Sequence, residues 1–198
     1  TDWKYLVATF LQQIAAIYKD AGVQAVSVLT EEDYFLGKLS YLTEVKSLVD
    51  LPVLRKDFIL EPYQVYESRF FGADAILLIA DLLTKDTLSE LMQIADNLGM
   101  DYLVEVHTEK EVKKVLSLKS PIIGINNRNL HTLEVDFKNT EKLFPLIPKG
   151  NTVVVESGIK SYQDILFLKI LGVNAVLVGQ ALMAADDIKR KIEEIMGW

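Results

Sequence analysis

The feature that most constrains this chain is a rhythm of short apolar runs. Runs rich in β-branched residues recur at 5–10, 25–30, 53–58, 75–80, 102–107, 122–127, 152–157 and 175–180. Their apolar residues are mostly continuous rather than alternating, as in strands buried on both faces. Amphipathic segments lie between them, most clearly at 11–20, 84–98, 109–118, 162–171 and 186–196. Thr84 and Ser161 are suited to cap the helices that follow them. Gly22, Gly72, Gly99 and Gly172 each close a helical segment shortly before the next run. Helix, glycine, strand is the connection of a parallel sheet.

Strands alternating with helices leave an open doubly wound sheet or a closed barrel. The count of eight runs, with polar residues clustered at their C-terminal ends, favours the barrel. The expectation is therefore an α/β fold, a (β/α)8 TIM barrel, forming a single domain over residues 1–198. At 198 residues there is enough chain for one large core and too little for two typical domains. One junction is unusual: the run ending at Phe10 passes into the helix near Leu11 without a loop.

Composition narrows the partners. A formal net charge of -7 does not suit nucleic acid or an anionic membrane, although a local basic site for a small anion is compatible with it. Absence of cysteine removes disulfides, thiolate zinc sites and cysteine nucleophiles, and is compatible with a reducing, cytoplasmic location. No signal pattern and no membrane-length apolar run is expected here. With two histidines, a histidine-based metal site is disfavoured, whereas a carboxylate-and-water magnesium site stays open.

In a barrel the last residues of each strand point into the mouth where chemistry occurs. Read in order they are Lys56 and Asp57, Glu105 and His107, Asn126 and Arg128, Glu156 and Ser157, and Gly179. Charges inside runs such as Val53–Phe58 are costly to bury unless paired or used. A structural ion pair is the plain reading of any one of them; several converging on one mouth point to a site. A lysine beside carboxylates is also where proton affinities can be tuned. Gly158 and Gly179 follow the last two runs, where loop N–H groups commonly hold phosphate.

These residues sit in phrases that resemble the indole-3-glycerol phosphate synthase family. The phrases are Ser27 to Phe35, Leu54-Arg55-Lys56-Asp57-Phe58, Leu103-Val104-Glu105-Val106-His107, Gly124 to Leu130, Glu156-Ser157-Gly158-Ile159 and Leu177 to Met183. They keep family-like order from about Ile14 to Met183. The resemblance implies a lyase of tryptophan biosynthesis. It would close the ring of, and decarboxylate, 1-(2-carboxyphenylamino)-1-deoxyribulose 5-phosphate, a small phosphorylated aromatic-sugar substrate. No metal or organic cofactor is implied. By the same resemblance Lys56, Glu105 and Glu156 are catalytic. Lys56 would be the general acid at the carbonyl, Glu105 would move a proton in the dehydration, and Glu156 would meet substrate hydroxyls. Asn126 and Arg128 would bind the anthranilate portion, with Phe58, Leu78 and Leu130 as apolar walls. Gly158, Gly179 and Gln180 would bind phosphate.

The departure is at the start. Family members carry a Glu-x-Lys phrase on the first strand and then a Ser-Pro-Ser loop. With residues 5–10 set on that strand, Thr9 takes the place of the glutamate; the lysine and the loop have no counterpart, and Lys4 lies too early. Missing residues at the Phe10–Leu11 junction, an engineered N-terminal part and natural divergence are three open accounts. Two further readings stand beside the synthase. One is an engineered or impaired scaffold without first-strand machinery. The other, a relative of phosphoribosylanthranilate isomerase, fits the Lys56, Glu105 and Asn126-x-Arg128 phrases less well.

Overall fold

The computed structural model describes residues 3–129, 132 and 134–198, with side chains from residue 11 onward. Among these residues there are seven strands, whose order is the chain order β1 to β7. The chain divides into two compact units, Thr1–Leu78 with Asp86–Tyr102, and Ile79–Lys85 with Leu103–Trp198.

The first unit opens with helix α1, Trp3–Asp20, followed by β1 (Val26–Leu29), α2 (Ser40–Leu48), β2 (Val53–Lys56), α3 (Pro62–Phe70), β3 (Ala75–Ile79) and α4 (Lys85–Asn97). Strands β1 and β2 pair in parallel, as do β2 and β3. The expected strand at residues 5–10 is therefore corrected: it is helix, continuous with the segment at 11–20. The reason is visible in the spacing. Trp3, Leu6, Val7, Phe10, Ile14 and Ile17 recur at three and four residues, and no glycine or proline separates Phe10 from Leu11. No loop is called for at that junction, and setting Thr9 on a first strand lapses with the strand. The unit's core gathers Val28, Leu42, Val45, Val53, Val65, Ile76, Leu88 and Leu91, all buried.

The second unit holds most of β4 (Asp101–Val106), then α5 (Glu109–Ser117), β5 (Ile122–Asn126), α6 (Lys138–Leu143), β6 (Thr152–Glu156), α7 (Tyr162–Leu171), β7 (Ala175–Leu177), α8 (Gln180–Met183) and α9 (Ile188–Met196). Strands β4 to β7 pair in parallel, each with the next. Val104, Val106, Ile123, Ile125, Val153 and Val155 are buried between sheet and helices. Their β-branched character suits a pleated, covered surface. Ser161 caps α7 by accepting from the Asp164 N–H, and the Asp164 carboxylate accepts in return from the Ser161 N–H. The run at 175–180 is shorter as strand than expected: β7 ends at Leu177 and Gln180 opens α8.

One turn is built twice. In the first unit Gly72 has φ +94°, the Ala73 N–H donates to Ser68, the Asp74 N–H to Val53, and the Asp74 carboxylate accepts the Val53 N–H. In the second, Gly172 has φ +101°, the Val173 N–H donates to Leu168, the Asn174 N–H to Val153, and the Asn174 amide oxygen accepts the Val153 N–H. Each glycine ends a helix in the left-handed region, and each polar side chain satisfies an N–H at or next to the start of the neighbouring strand. This turn sets strand register at the N-terminal ends and leaves the C-terminal ends open for other groups.

Candidate active site

In the second unit the polar strand ends share a face. Parallel pairing sets Glu105 opposite Gly124 and Asn126 opposite Glu156. A methyl at Gly124 would meet Leu103 on one side and the Glu156 carboxylate on the other. Side chains two apart on a strand lie on one face, so Leu103 and Glu105 share that face with Gly124, Asn126 and Glu156. Glu105 and Glu156 are each 1% exposed. Two buried carboxylates on one face are costly for a core packed for stability alone, and such groups mark candidate sites.

His107 continues the row from Glu105. Its Nε2 lies 3.2 Å from Glu105 Oε1, and its Nδ1 lies 3.6 Å from Glu111 Oε2. Neither nitrogen meets directional hydrogen-bond geometry, so the attraction rests on charge rather than alignment. Burial pulls this imidazole down, but Glu105 and Glu111 outweigh it and raise it from 6.5 to about 9. Burial pushes the Glu111 carboxyl up; His107, the Thr108 hydroxyl and the His107 N–H outweigh that and hold it below its ordinary value. Glu111 sits at the third position of α5, and Thr108, the cap of that helix, accepts the Glu111 N–H. Two histidines without cysteine carry little weight in the sequence. The missed signal was a carboxylate two residues before His107 and another four residues after it.

The loop after β5 is fixed by asparagines. Asn126 Oδ1 accepts the Arg128 N–H at 2.9 Å, and the Asn126 carbonyl accepts from Asn139. Asn127, 3% exposed, accepts both the N–H and the hydroxyl of Thr140 and donates to the Ser157 carbonyl. Arg128 donates to the Gln180 side-chain oxygen at 2.8 Å. Two residues expected to bind opposite ends of a substrate are thus joined directly. Leu130 and His131 lie outside the described residues.

After β6 the backbone turns through two left-handed residues, Ser157 at φ +66° and Gly158 at φ +90°. A side chain at Gly158 would collide with Val135 and Phe137, so glycine is required by conformation and by space. Gly179 differs: its φ is −129°, and a Cβ there meets nothing within 4 Å. It caps α8, and its carbonyl accepts the N–H groups of Leu182 and Met183.

In the first unit, Arg55 and Lys56 point to opposite faces of β2, as neighbours on a strand do. Arg55, 4% exposed, is enclosed. It donates to Thr30, Asp57, the Gln64 carbonyl, Glu67 and Ser68. Asp57 therefore takes the plain reading, a structural ion pair with Arg55 at 3.0 Å. With Arg55 turned to α3, half-buried Lys56 lies with Leu54 on the other face. Leu78 is fully buried in β3. Phe58 meets Tyr34 and Phe35, with ring centroids 6.3 and 6.1 Å away. The Glu31 carboxylate holds that loop by accepting the N–H groups of Asp33, Tyr34 and Phe35. Tyr34 and Phe35 stand in a recognised phrase without a role; only the loop's folding shows that they pack against Phe58.

Among the described residues no group of three His, Asp or Glu could hold a metal ion, and no helix is long and apolar enough to cross a membrane.

The chain is similar to proteins whose sequences and structures are known. The family model for indole-3-glycerol phosphate synthase matches residues 7–195. The indole-3-glycerol phosphate synthase of Desulforamulus reducens is 52% identical over 93% of this chain and 70% of its own length. That of Endomicrobium trichonymphae is 49% identical over 98% and 73%. Among solved structures, KGPDC from Streptococcus mutans superposes with a TM-score of 0.75 at 15% identity, over 96% of this chain and 90% of that one. The 3-hexulose-6-phosphate synthase of Salmonella typhimurium gives 0.75 at 14% identity, over 94% and 92%. At such low identity these two show a shared α/β, barrel-like fold and nothing of chemistry.

Proposed function

The chain belongs to the indole-3-glycerol phosphate synthase family, and on that premise we propose that it converts 1-(2-carboxyphenylamino)-1-deoxyribulose 5-phosphate to indole-3-glycerol phosphate. The observation that carries this reading is the pair of carboxylates, Glu105 and Glu156, buried on one sheet face at the ends of β4 and β6. The reaction joins the ring carbon bearing the carboxylate to the sugar carbonyl carbon, releases carbon dioxide, and then loses water. Lys56 donates a proton to the carbonyl oxygen as that bond forms. Glu105 moves the proton of the dehydration, and Glu156 holds substrate hydroxyls. Asn126 and Arg128 bind the anthranilate portion, since a guanidinium suits a carboxylate in geometry and charge. Phe58, Leu78 and Leu130 wall the ring. Backbone N–H groups at Gly158, Gly179 and Gln180 take the phosphate.

The same family membership supports the finer fold reading, a single-domain barrel of the (β/α)8 kind, and a cytoplasmic site of action. Parallel pairing in chain order and chemistry at strand C-terminal ends agree with it. The test is direct: incubate the purified chain with the substrate and follow indole fluorescence and carbon dioxide release. Both products in equal amounts are expected. Substrate left unchanged at high enzyme concentration would overturn the proposal.

A further inference from the structure

We propose that His107 is a positioning residue whose imidazolium, clamped between Glu105 on β4 and Glu111 on α5, keeps the buried Glu105 carboxylate ionised and aimed. The proposal deepens the reading of Glu105 as the proton-transfer group and rests on it.

The argument starts from burial. Glu105 is 1% exposed, and a carboxylate so placed is strongly disfavoured unless a cation stands beside it. His107 Nε2, at 3.2 Å from Glu105 Oε1, is such a neighbour in the same unit. The second nitrogen decides which form the ring takes. A neutral imidazole has one N–H and can favour one carboxylate only; the doubly protonated ring favours both. With Glu111 Oε2 at 3.6 Å from Nδ1, the ring lies between two negative groups, and the cationic form is the one that satisfies both. Glu111 is not free to leave, because it accepts the His107 N–H at 2.8 Å and the Thr108 hydroxyl. The geometry thus runs inward from a helix cap. The cap fixes Glu111, Glu111 holds the ring charged, and the ring acts on Glu105. The charged form's raised proton affinity agrees with this arrangement.

Among the described residues, the charges acting on the ring are Glu105 from β4 and Glu111 from α5. Of the three lysines on α5, Lys110 and Lys113 are exposed, and half-buried Lys114 has its ammonium on the Ala80 and Leu83 carbonyls. No lysine of α5 is among the charges acting on the ring.

The test uses NMR of the intact protein, with imidazole and glutamate side-chain carboxyl carbons labelled. There are two histidines, so His131→Gln assigns the His107 signal. In the unsubstituted protein the His107 ring should titrate well above the ordinary histidine range, and Glu111→Gln should lower that midpoint. In His107→Gln the Glu105 carboxyl midpoint should rise by about one unit. The acid limb of the kcat profile should rise with it, costing about tenfold below the limb, with KM changed less than twofold. A purely structural role would lower thermal stability and leave the Glu105 midpoint in place, which would overturn the proposal. So would a His107 ring titrating near 6.5 in the unsubstituted protein, a measurement that needs no variant to fold. The carboxyl titration is independent of turnover. A chain that holds the clamp but makes no product would refute the synthase reading alone.

Discussion

A methyl group at Gly124 would stand 2.5 Å from Glu156 Oε1. The two residues are on adjacent strands, β5 and β6, and the absent side chain of one is the seat of the other's carboxylate. Leu103 closes the opposite side at 3.2 Å, so neither neighbour leaves room. Gly124→Ala should therefore displace the Glu156 carboxylate. Overpacking of this kind costs about 1–3 kcal/mol of stability. The distinguishing result is kinetic: kcat should fall by at least about tenfold, equivalent to about 1.4 kcal/mol, while the far-UV circular dichroism spectrum is retained. Near-normal turnover would show that Glu156 needs no such seat.

Arg55 should matter for stability rather than chemistry. Its guanidinium answers Asp57 and Glu67 at 3.0 Å each, inside the first unit. Arg55→Met would leave the Asp57 carboxylate, whose side chain is 10% exposed, without its cation. Breaking a buried pair by removing one partner costs about 3–5 kcal/mol. Urea denaturation should show that loss, and the C-terminal end of β2, with Lys56, should lose its support with it. A change under about 1 kcal/mol would mean that the Thr30 hydroxyl and the Phe58 N–H hold Asp57 without Arg55.

On the roles proposed for them, Lys56 and Arg128 should separate in steady-state kinetics followed by indole fluorescence. Lys56→Met removes a proton donor needed in the transition state, so kcat should drop about 10²–10⁴-fold with a smaller change in KM. Arg128→Ala removes a contact that holds ground state and transition state alike, so KM should rise while kcat changes little. Equal effects on kcat from both would undo this division of roles.

The clamp around His107 makes stability depend on pH in a defined direction. A ring raised from 6.5 to about 9 contributes stability that is fully present below pH 6.5 and is lost as pH rises through 9. Glu111, held below its ordinary 4.5, contributes stability present above that value and lost as pH falls through its depressed one. Stability should be greatest between about pH 4.5 and 6.5 on account of this pair. His107→Gln should flatten both arms in thermal melts taken across the range. A wild-type profile level from pH 6 to 10 would contradict the clamp.

Much of this molecule could be read from its residues in order. Seven of the apolar runs are strands, Gly22, Gly72, Gly99 and Gly172 have positive φ where helices end, and Ser161 caps its helix. These features are local: periodicity, chirality and capping are decided within a few residues of chain. The run at 5–10 failed because a short apolar stretch suits a buried strand or a helix equally, and its continuation past Phe10 decided for helix.

What the sequence by itself determined, then, was the family, the parallel α/β plan and the polar residues at the strand ends. Tertiary structure alone decided what each of those residues meets. Thr30 and Asp57 are 27 positions apart and share a hydrogen bond. Arg128 and Gln180 are 52 apart and share another. Lys56 and Asp57 are neighbours in sequence, yet one lies with Leu54 on the strand face turned from α3 and the other closes an ion pair with Arg55. The physical reason is register. A strand alternates its side chains between two faces, and the hydrogen-bonded neighbour fixes which distant residue stands opposite each one. Only that pairing shows that a missing methyl at Gly124 makes room for Glu156.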